Sequence, residues 1–220
     1  MVSFPFKVVA FDLDGTLADT AADLGAALNH ALAALGREPI AAEAVRPMIG
    51  HGARALLHKG LEATGGASEP LVDRAFLVFL DHYRSNLATN TRAYPGLEAA
   101  MDELAGRGVA LSVCTNKLES LTLGLLDALG WSARFHSVIG GDTLPVRKPD
   151  PAPLREAITR AGGGRAAFVG DSITDADTAR AAAIPFVAVS FGFSDRPVDQ
   201  LGADAVIDDY AALVGVLGRF

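Results

Sequence analysis

The segment Val8-Val9-Ala10-Phe11-Asp12-Leu13-Asp14-Gly15-Thr16-Leu17-Ala18-Asp19-Thr20 opens as a continuous apolar run and then presents Asp12, Asp14 and Asp19. An apolar run without polar alternation suits a parallel strand covered on both faces. Carboxylates gathered at the end of such a strand repel one another unless a cation joins them or protons are taken up. The segment therefore predicts a buried parallel strand and a charged loop at its carboxyl end.

The same continuous pattern, begun at Lys7–Phe11, recurs at Val109–Cys114, Val138–Ile139, Ala166–Val169, Phe186–Val189 and Ala205–Ile207. Segments with helical spacing separate the later runs, at Gly96–Gly106, Leu118–Leu129, Pro151–Ala161 and Thr174–Ala183. Such alternation predicts an α/β fold, a Rossmann-like doubly wound parallel sheet. From about Ala18 to Asn90 the alternation stops. That interval shows helical runs and no convincing strand: Ala21–Leu35, Ala41–Val45, Ala53–Ala63 and Glu69–Leu87. The turn signal Tyr94-Pro95-Gly96 restores the rhythm. The expected organisation is a catalytic core of residues 1–17 and 91–220, interrupted by an α-helical insert at 18–90.

A chain of 220 residues, half of them hydrophobic, suits one sizeable domain carrying a smaller insert. The formal charge of -7 argues against a nucleic-acid partner, which needs a surplus of Lys and Arg on one face. An anionic ligand must then be held by local charge. The single cysteine, Cys114, excludes an internal disulfide and suits a reducing compartment. The N-terminal sequence lacks the pattern of a signal peptide, and no long apolar stretch suggests a membrane span. A soluble cytoplasmic protein, monomer or homodimer, is expected.

In an open parallel sheet, ligands sit beyond the carboxyl ends of the strands. Those ends carry Asp12 and Asp14, then Thr115 and Asn116, then Lys148 in Arg147-Lys148-Pro149-Asp150-Pro151, then Asp171 and Asp175. A hard divalent ion with oxygen ligands relieves the carboxylate repulsion, and Mg²⁺ commonly combines few carboxylates with waters and phosphate oxygens. Lys148 adds a flexible point charge suited to phosphate, and Thr115 a hydroxyl and an unpaired amide where a helix begins. A carboxylate facing a phosphoryl group acts as a nucleophile, and a second one two residues on serves proton transfer.

At these residues the chain resembles the haloacid dehalogenase superfamily of phosphatases. Its motifs stand in order: Asp12-Leu13-Asp14-Gly15-Thr16, Thr115, Lys148 with Pro149-Asp150-Pro151, and Gly170-Asp171-Ser172 with Asp175. The resemblance covers nearly the whole chain and implies that the insert is a cap. It implies Asp12 as nucleophile, Asp14 as general acid and base, and Thr115 and Lys148 as phosphoryl-binding groups. It assigns Mg²⁺ to Asp12, the Asp14 carbonyl and Asp171, with Asp175 as a ligand through water or hydrogen bonds. For Asp175, an acid favoured in a first helical turn is an equal alternative. The presence of Asp14 points to phosphoryl transfer rather than dehalogenation.

Within the insert, Met48-Ile49-Gly50-His51-Gly52-Ala53-Arg54 is the informative stretch. Gly50 and Gly52 permit close backbone approach, a helix starting near Gly52 offers free amides, and Arg54 stands in its first turn. His51 lies between the glycines, within reach of substrate. These residues and Asn116 are candidate substrate contacts, although by themselves the glycines better suit a helix boundary and Arg54 a solvated face. The stretch around them and the tail from Val189 to Tyr210 resemble phosphoglycolate phosphatases. This implies hydrolysis of 2-phosphoglycolate, a small phosphorylated acid, to glycolate and phosphate.

Other capped enzymes share the core motifs. A β-hexose phosphomutase and a pyrophosphatase are alternatives, whereas a Schiff-base hydrolase is disfavoured because Ala53 and Arg54 stand where it needs a lysine. A phospho-accepting signalling receiver also gathers acids, Thr and Lys at sheet ends, but is shorter and lacks the insert. His30, His58, His82 and His136 show no zinc-ligand spacing. Cys114, Trp131 and Phe135 are expected in packing roles, and Asp19 and Asp177 in capping or solvent.

Overall fold

A computed structural model describes residues 4–194 and 196–220, so residues 1–3 of the expected core and Asp195 of the tail lie outside it. The chain runs β1 (Val8–Phe11), β2 (Ala18–Asp19), α1 (Ala21–Ala34), α2 (Ala42–Val45), α3 (Ala53–Ala63), α4 (Glu69–Ser85) and β3 (Arg92–Ala93). It continues as α5 (Leu97–Gly106), β4 (Ala110–Cys114), α6 (Glu119–Ala128), β5 (Ser137–Ile139), α7 (Ala152–Arg160), β6 (Ala166–Gly170) and α8 (Ile173–Ala182). The last elements are β7 (Phe186–Val189), β8 (Ala205–Ile207) and α9 (Leu213–Leu217).

All six predicted parallel strands form, in the order β5-β4-β1-β6-β7-β8. One face of the sheet packs Val9, Phe11, Val113 and Val169 against α5, α6 and α9. The other packs Val8, Ala10, Cys114 and Phe168 against α7 and α8. Because every side chain of β1 is buried on one face or the other, the strand reads as VVAF with no polar alternation. Cys114 is fully buried in this layer, and burial pushes its thiol up to about 12. Trp131 is also buried, and its indole N–H donates to Glu98 Oε1 at 2.7 Å.

The insert has its own apolar cluster, in which Leu24, Leu28 and Leu32 of α1 meet Leu57, Phe79 and Tyr83 of α3 and α4. One expectation for this interval needs correction. It holds a strand, since Ala18 and Asp19 pair antiparallel with Ala93 and Arg92 in a ribbon where the chain leaves and rejoins the core. Asp23 reinforces that junction, its carboxylate accepting from the Asn90 and Thr91 amides, Asn90 Nδ2 and Thr91 Oγ1 at 2.8–3.0 Å.

Candidate active site

Register brings the motif residues together. Phe11 lies abreast of Val113 in β4 and of Val169 in β6, so the chain emerging from each of these neighbouring strands ends at one edge. Asp12 leaves β1 with its amide donating to the Val169 carbonyl at 2.9 Å. Thr115 follows β4, Asp171 follows β6, and Lys148 arrives from the loop before α7.

Lys148 is buried, with Nζ 2.9 Å from Asp12 Oδ1 and 2.6 Å from Asp175 Oδ1. Burial alone would lower its pKa, but these two carboxylates outweigh it and hold the ammonium charged. Burial raises the Asp12 carboxyl to about 6 despite Lys148, with Asp175 and Asp14 adding repulsion. Asp171 is driven well above the usual carboxylate range by burial and by Asp175 and Asp12. Its oxygens accept from Thr16 Oγ1 at 2.9 Å and from the Phe193 amide at 2.6 Å. Gly15 is required beside it, because it has φ +82° and a Cβ there would lie 2.4 Å from Asp171 Oδ2.

Asp12, Asp171 and Asp175 each offer a carboxylate oxygen, and these atoms lie within 4.8 Å of one another. Asp12 Oδ1 touches Lys148 at ion-pair distance, yet it is a buried oxygen without a well-directed hydrogen-bond donor. An all-oxygen set, the Asp12 and Asp171 carboxyls raised by burial and by neighbouring carboxylates, and an under-satisfied oxygen together fit a divalent cation. The three acids are not equivalent. Asp175 Oδ1 is engaged by Lys148, and Oδ2 accepts from the Ser172 amide and hydroxyl at 3.1 and 2.6 Å in a capping box on α8.

Asp14 stands apart from this cluster. Its carboxylate accepts from Thr20 Oγ1 at 2.7 Å and is paired with Lys117, whose Nζ lies 3.0 and 3.3 Å from its two oxygens. The same ammonium donates to Tyr83 Oη of α4 at 2.7 Å. Lys117 and Tyr83 were not anticipated from the sequence, although Lys117 lies in the loop after β4 where the topological argument points.

Between core and insert lies a cleft lined by Asp12, Asp14, Thr115, Asn116 and Lys117, by Gly50, Gly52 and Ala53, and by apolar side chains including Leu24, Leu56, Phe79 and Leu121. Gly50 and Gly52 thus border the cleft. A Cβ on Gly52, where φ is +86°, would come 3.1 Å from the Asn116 carbonyl. Asn116 Nδ2 ties the two parts, donating to the Lys148 carbonyl at 3.2 Å and the Gly50 carbonyl at 3.4 Å.

Other expectations change. Arg54 does not line the cleft: Glu69 and Asp73 of α4 hold its guanidinium at 3.0 and 2.8 Å on the insert's exposed side, above the Phe76 ring. The first turn of α3 turns that side chain toward the acids of α4 rather than toward the sheet. His51 Nδ1 lies 3.1 Å from Thr174 Oγ1 of α8, linking insert to core beside the site. The Thr115 amide is not free, because it donates to Ile139 of β5 at 2.9 Å and extends the sheet by one bond. Asp19 pairs with Arg46 at 3.1 Å and Asp177 with Arg180 at 2.5 Å, both on the surface.

Residues 9–189 match the model of the haloacid dehalogenase-like hydrolases. A phosphoglycolate phosphatase of Agrobacterium fabrum is 42% identical over 225 residues, covering 99% of this chain and 95% of its own. One from Caulobacter vibrioides is 44% identical, covering 92% and 86%. A crystal structure described as a predicted phosphoglycolate phosphatase from Haemophilus somnus superposes with a TM-score of 0.91 at 30% identity, covering 96% of this chain and 98% of that one. With the acid cluster at the strand ends and a match spanning most of its length, the chain belongs to the haloacid dehalogenase-like hydrolases.

Proposed function

We propose that the protein is a phosphoglycolate phosphatase, hydrolysing 2-phosphoglycolate to glycolate and phosphate with Mg²⁺ as cofactor. The observation that carries this reading is the convergence of Asp12, Lys148, Asp171 and Asp175 on one strand edge, in a chain matched almost end to end by relatives of that name. Asp12 and Asp171 would hold the Mg²⁺ with the Asp14 carbonyl, and the ion supplies charge neutralisation at the phosphoryl oxygens. Asp175 serves by fixing Lys148.

In this reading an Asp12 oxygen attacks phosphorus and the bond from phosphorus to the glycolate oxygen breaks. Asp14, as the neutral acid, gives its proton to that leaving oxygen. Lys148 and the Thr115 hydroxyl hold the phosphoryl oxygens while Lys148 keeps Asp12 oriented. Asp14, now an anion, takes a proton from water, whose oxygen attacks phosphorus. The bond from phosphorus to Asp12 breaks, releasing phosphate and restoring both carboxyl groups. The insert acts as a cap, with Gly50, His51, Gly52 and Asn116 along its contact with the core, and excludes competing water.

The test is phosphate release with Mg²⁺ from 2-phosphoglycolate, β-glucose 1-phosphate, pyrophosphate and an aryl phosphate. The reading predicts a preference for 2-phosphoglycolate of about a hundredfold in kcat/KM. Isomerisation of the hexose phosphate, or equal turnover of all four compounds, contradicts it. No helix among the described residues is long and apolar enough to cross a membrane.

A further inference from the structure

The cleft holds a cation that the reaction as written above does not use. Lys117 is buried, and among the described residues lining the cleft it is the one basic side chain. Burial opposes its charge, but Asp14 and the Tyr83 hydroxyl outweigh it and keep the ammonium protonated. The rest of that wall is apolar, with Leu24, Leu56 and Phe79 prominent. An ammonium in such a setting must keep an anionic partner, because an uncompensated buried charge is strongly destabilising. Asp14 is that partner here.

This pairing conflicts with the position required of Asp14. Lys117 engages both of its carboxylate oxygens and Thr20 Oγ1 one of them, so neither is turned to a leaving oxygen while the pair is closed. Arg54, the other candidate for a substrate carboxylate, is occupied by Glu69 and Asp73 away from the cleft. Building on the proposed hydrolysis of 2-phosphoglycolate, we infer that Lys117 is its specificity residue: its ammonium receives the substrate carboxylate and in exchange gives up Asp14. The incoming carboxylate replaces one anion by another, so the buried ammonium stays compensated while the Asp14 side chain is freed to turn to the leaving oxygen. A neutral ester leaves the Asp14–Lys117 pair closed. Tyr83, donated by α4 of the insert, positions Lys117 and ties the exchange to the cap.

Two measurements test this. The first compares 2-phosphoglycolate with its carboxamide analogue, in which a neutral amide replaces the carboxylate, in the wild type and in Lys117→Met, with thermal unfolding followed alongside. The wild type is expected to favour the carboxylate by about a hundredfold in kcat/KM, and the variant by no more than about threefold, with Lys117→Arg retaining part of the preference. An unchanged ratio in Lys117→Met overturns the inference while leaving the hydrolysis of 2-phosphoglycolate standing. If the wild type shows no preference for 2-phosphoglycolate over the other phosphate esters, the functional reading falls and this inference with it.

The second measurement needs no variant and supplies the substrate in two pieces. Formate is expected to raise wild-type turnover of methyl phosphate severalfold by occupying Lys117 and releasing Asp14. Absence of any effect, or inhibition, overturns the exchange.

Discussion

The Phe193 amide donates to Asp171 Oδ2 at 2.6 Å, while the Phe193 ring is buried in the apolar cluster of the insert and lies under Arg46 at 4.7 Å. A single residue of the core thus joins the packing of the insert to the orientation of a carboxylate in the cation cluster. Partners that orient a ligand affect metal affinity by about 10–100-fold when lost. Phe193→Ala keeps the amide but removes its anchor, so the Mg²⁺ dissociation constant measured by calorimetry is expected to rise about tenfold. A lowered melting temperature with unchanged Mg²⁺ affinity would reduce Phe193 to a packing role.

Asp171 and Asp175 are predicted to fail differently. Asp171→Asn removes a charge from the cation cluster and should abolish measurable Mg²⁺ binding along with turnover. Asp175→Asn releases Lys148 and one acceptor of the α8 cap, with a stability cost of about 1–3 kcal/mol, yet should leave Mg²⁺ binding within about tenfold of wild type. Loss of binding in both variants would make Asp175 a direct ligand.

Asp23 sets a pH signature at the junction with the insert. Burial pushes its carboxyl up, but the donors of Thr91 and Asn90 outweigh this and hold it below its ordinary value of 3.8. A lowered folded-state value stabilises the protein above the unfolded value, and that contribution is lost as pH falls toward the folded one. Asp23→Asn is expected to cost about 1–3 kcal/mol near neutrality. The gap in denaturant midpoint from wild type should narrow as pH drops below about 3.8. A constant gap at all pH would mean that charge plays no part.

Arg54→Ala should barely alter the kinetics. Its ion pairs are about half exposed, and such pairs contribute about 0–1 kcal/mol. The KM for 2-phosphoglycolate is expected to stay within about twofold of wild type, since the side chain faces α4. A selective rise in KM for this substrate over an aryl phosphate would return Arg54 to the site.

Sheet and cation cluster were legible because both follow from one pattern. A strand covered on both faces has no polar alternation, so its end shows abruptly as Asp12, Thr115 or Asp171, and parallel topology brings those ends together. The ribbon of Ala18–Asp19 with Arg92–Ala93 was not legible, because two-residue strands have no periodicity. Lys117 was missed for a different reason. A lysine just before a helix reads as solvated, and its burial depends on Tyr83 and Asp14, 34 and 103 residues away in sequence. Arg54 failed conversely: the start of α3 was readable, but the direction of its side chain depends on Glu69 and Asp73 of another helix.

The central claim, that the phosphoryl group passes through Asp12, is tested most directly by trapping it there. The Asp14→Asn variant is mixed with Mg²⁺ and an aryl phosphate, whose leaving phenolate needs no proton, then quenched and reduced with borohydride. Reduction of an aspartyl-phosphate leaves homoserine, and peptide mass spectrometry is predicted to find it at position 12. Unmodified Asp12 with homoserine at another aspartate, or no modified residue despite release of phenol, would contradict the account.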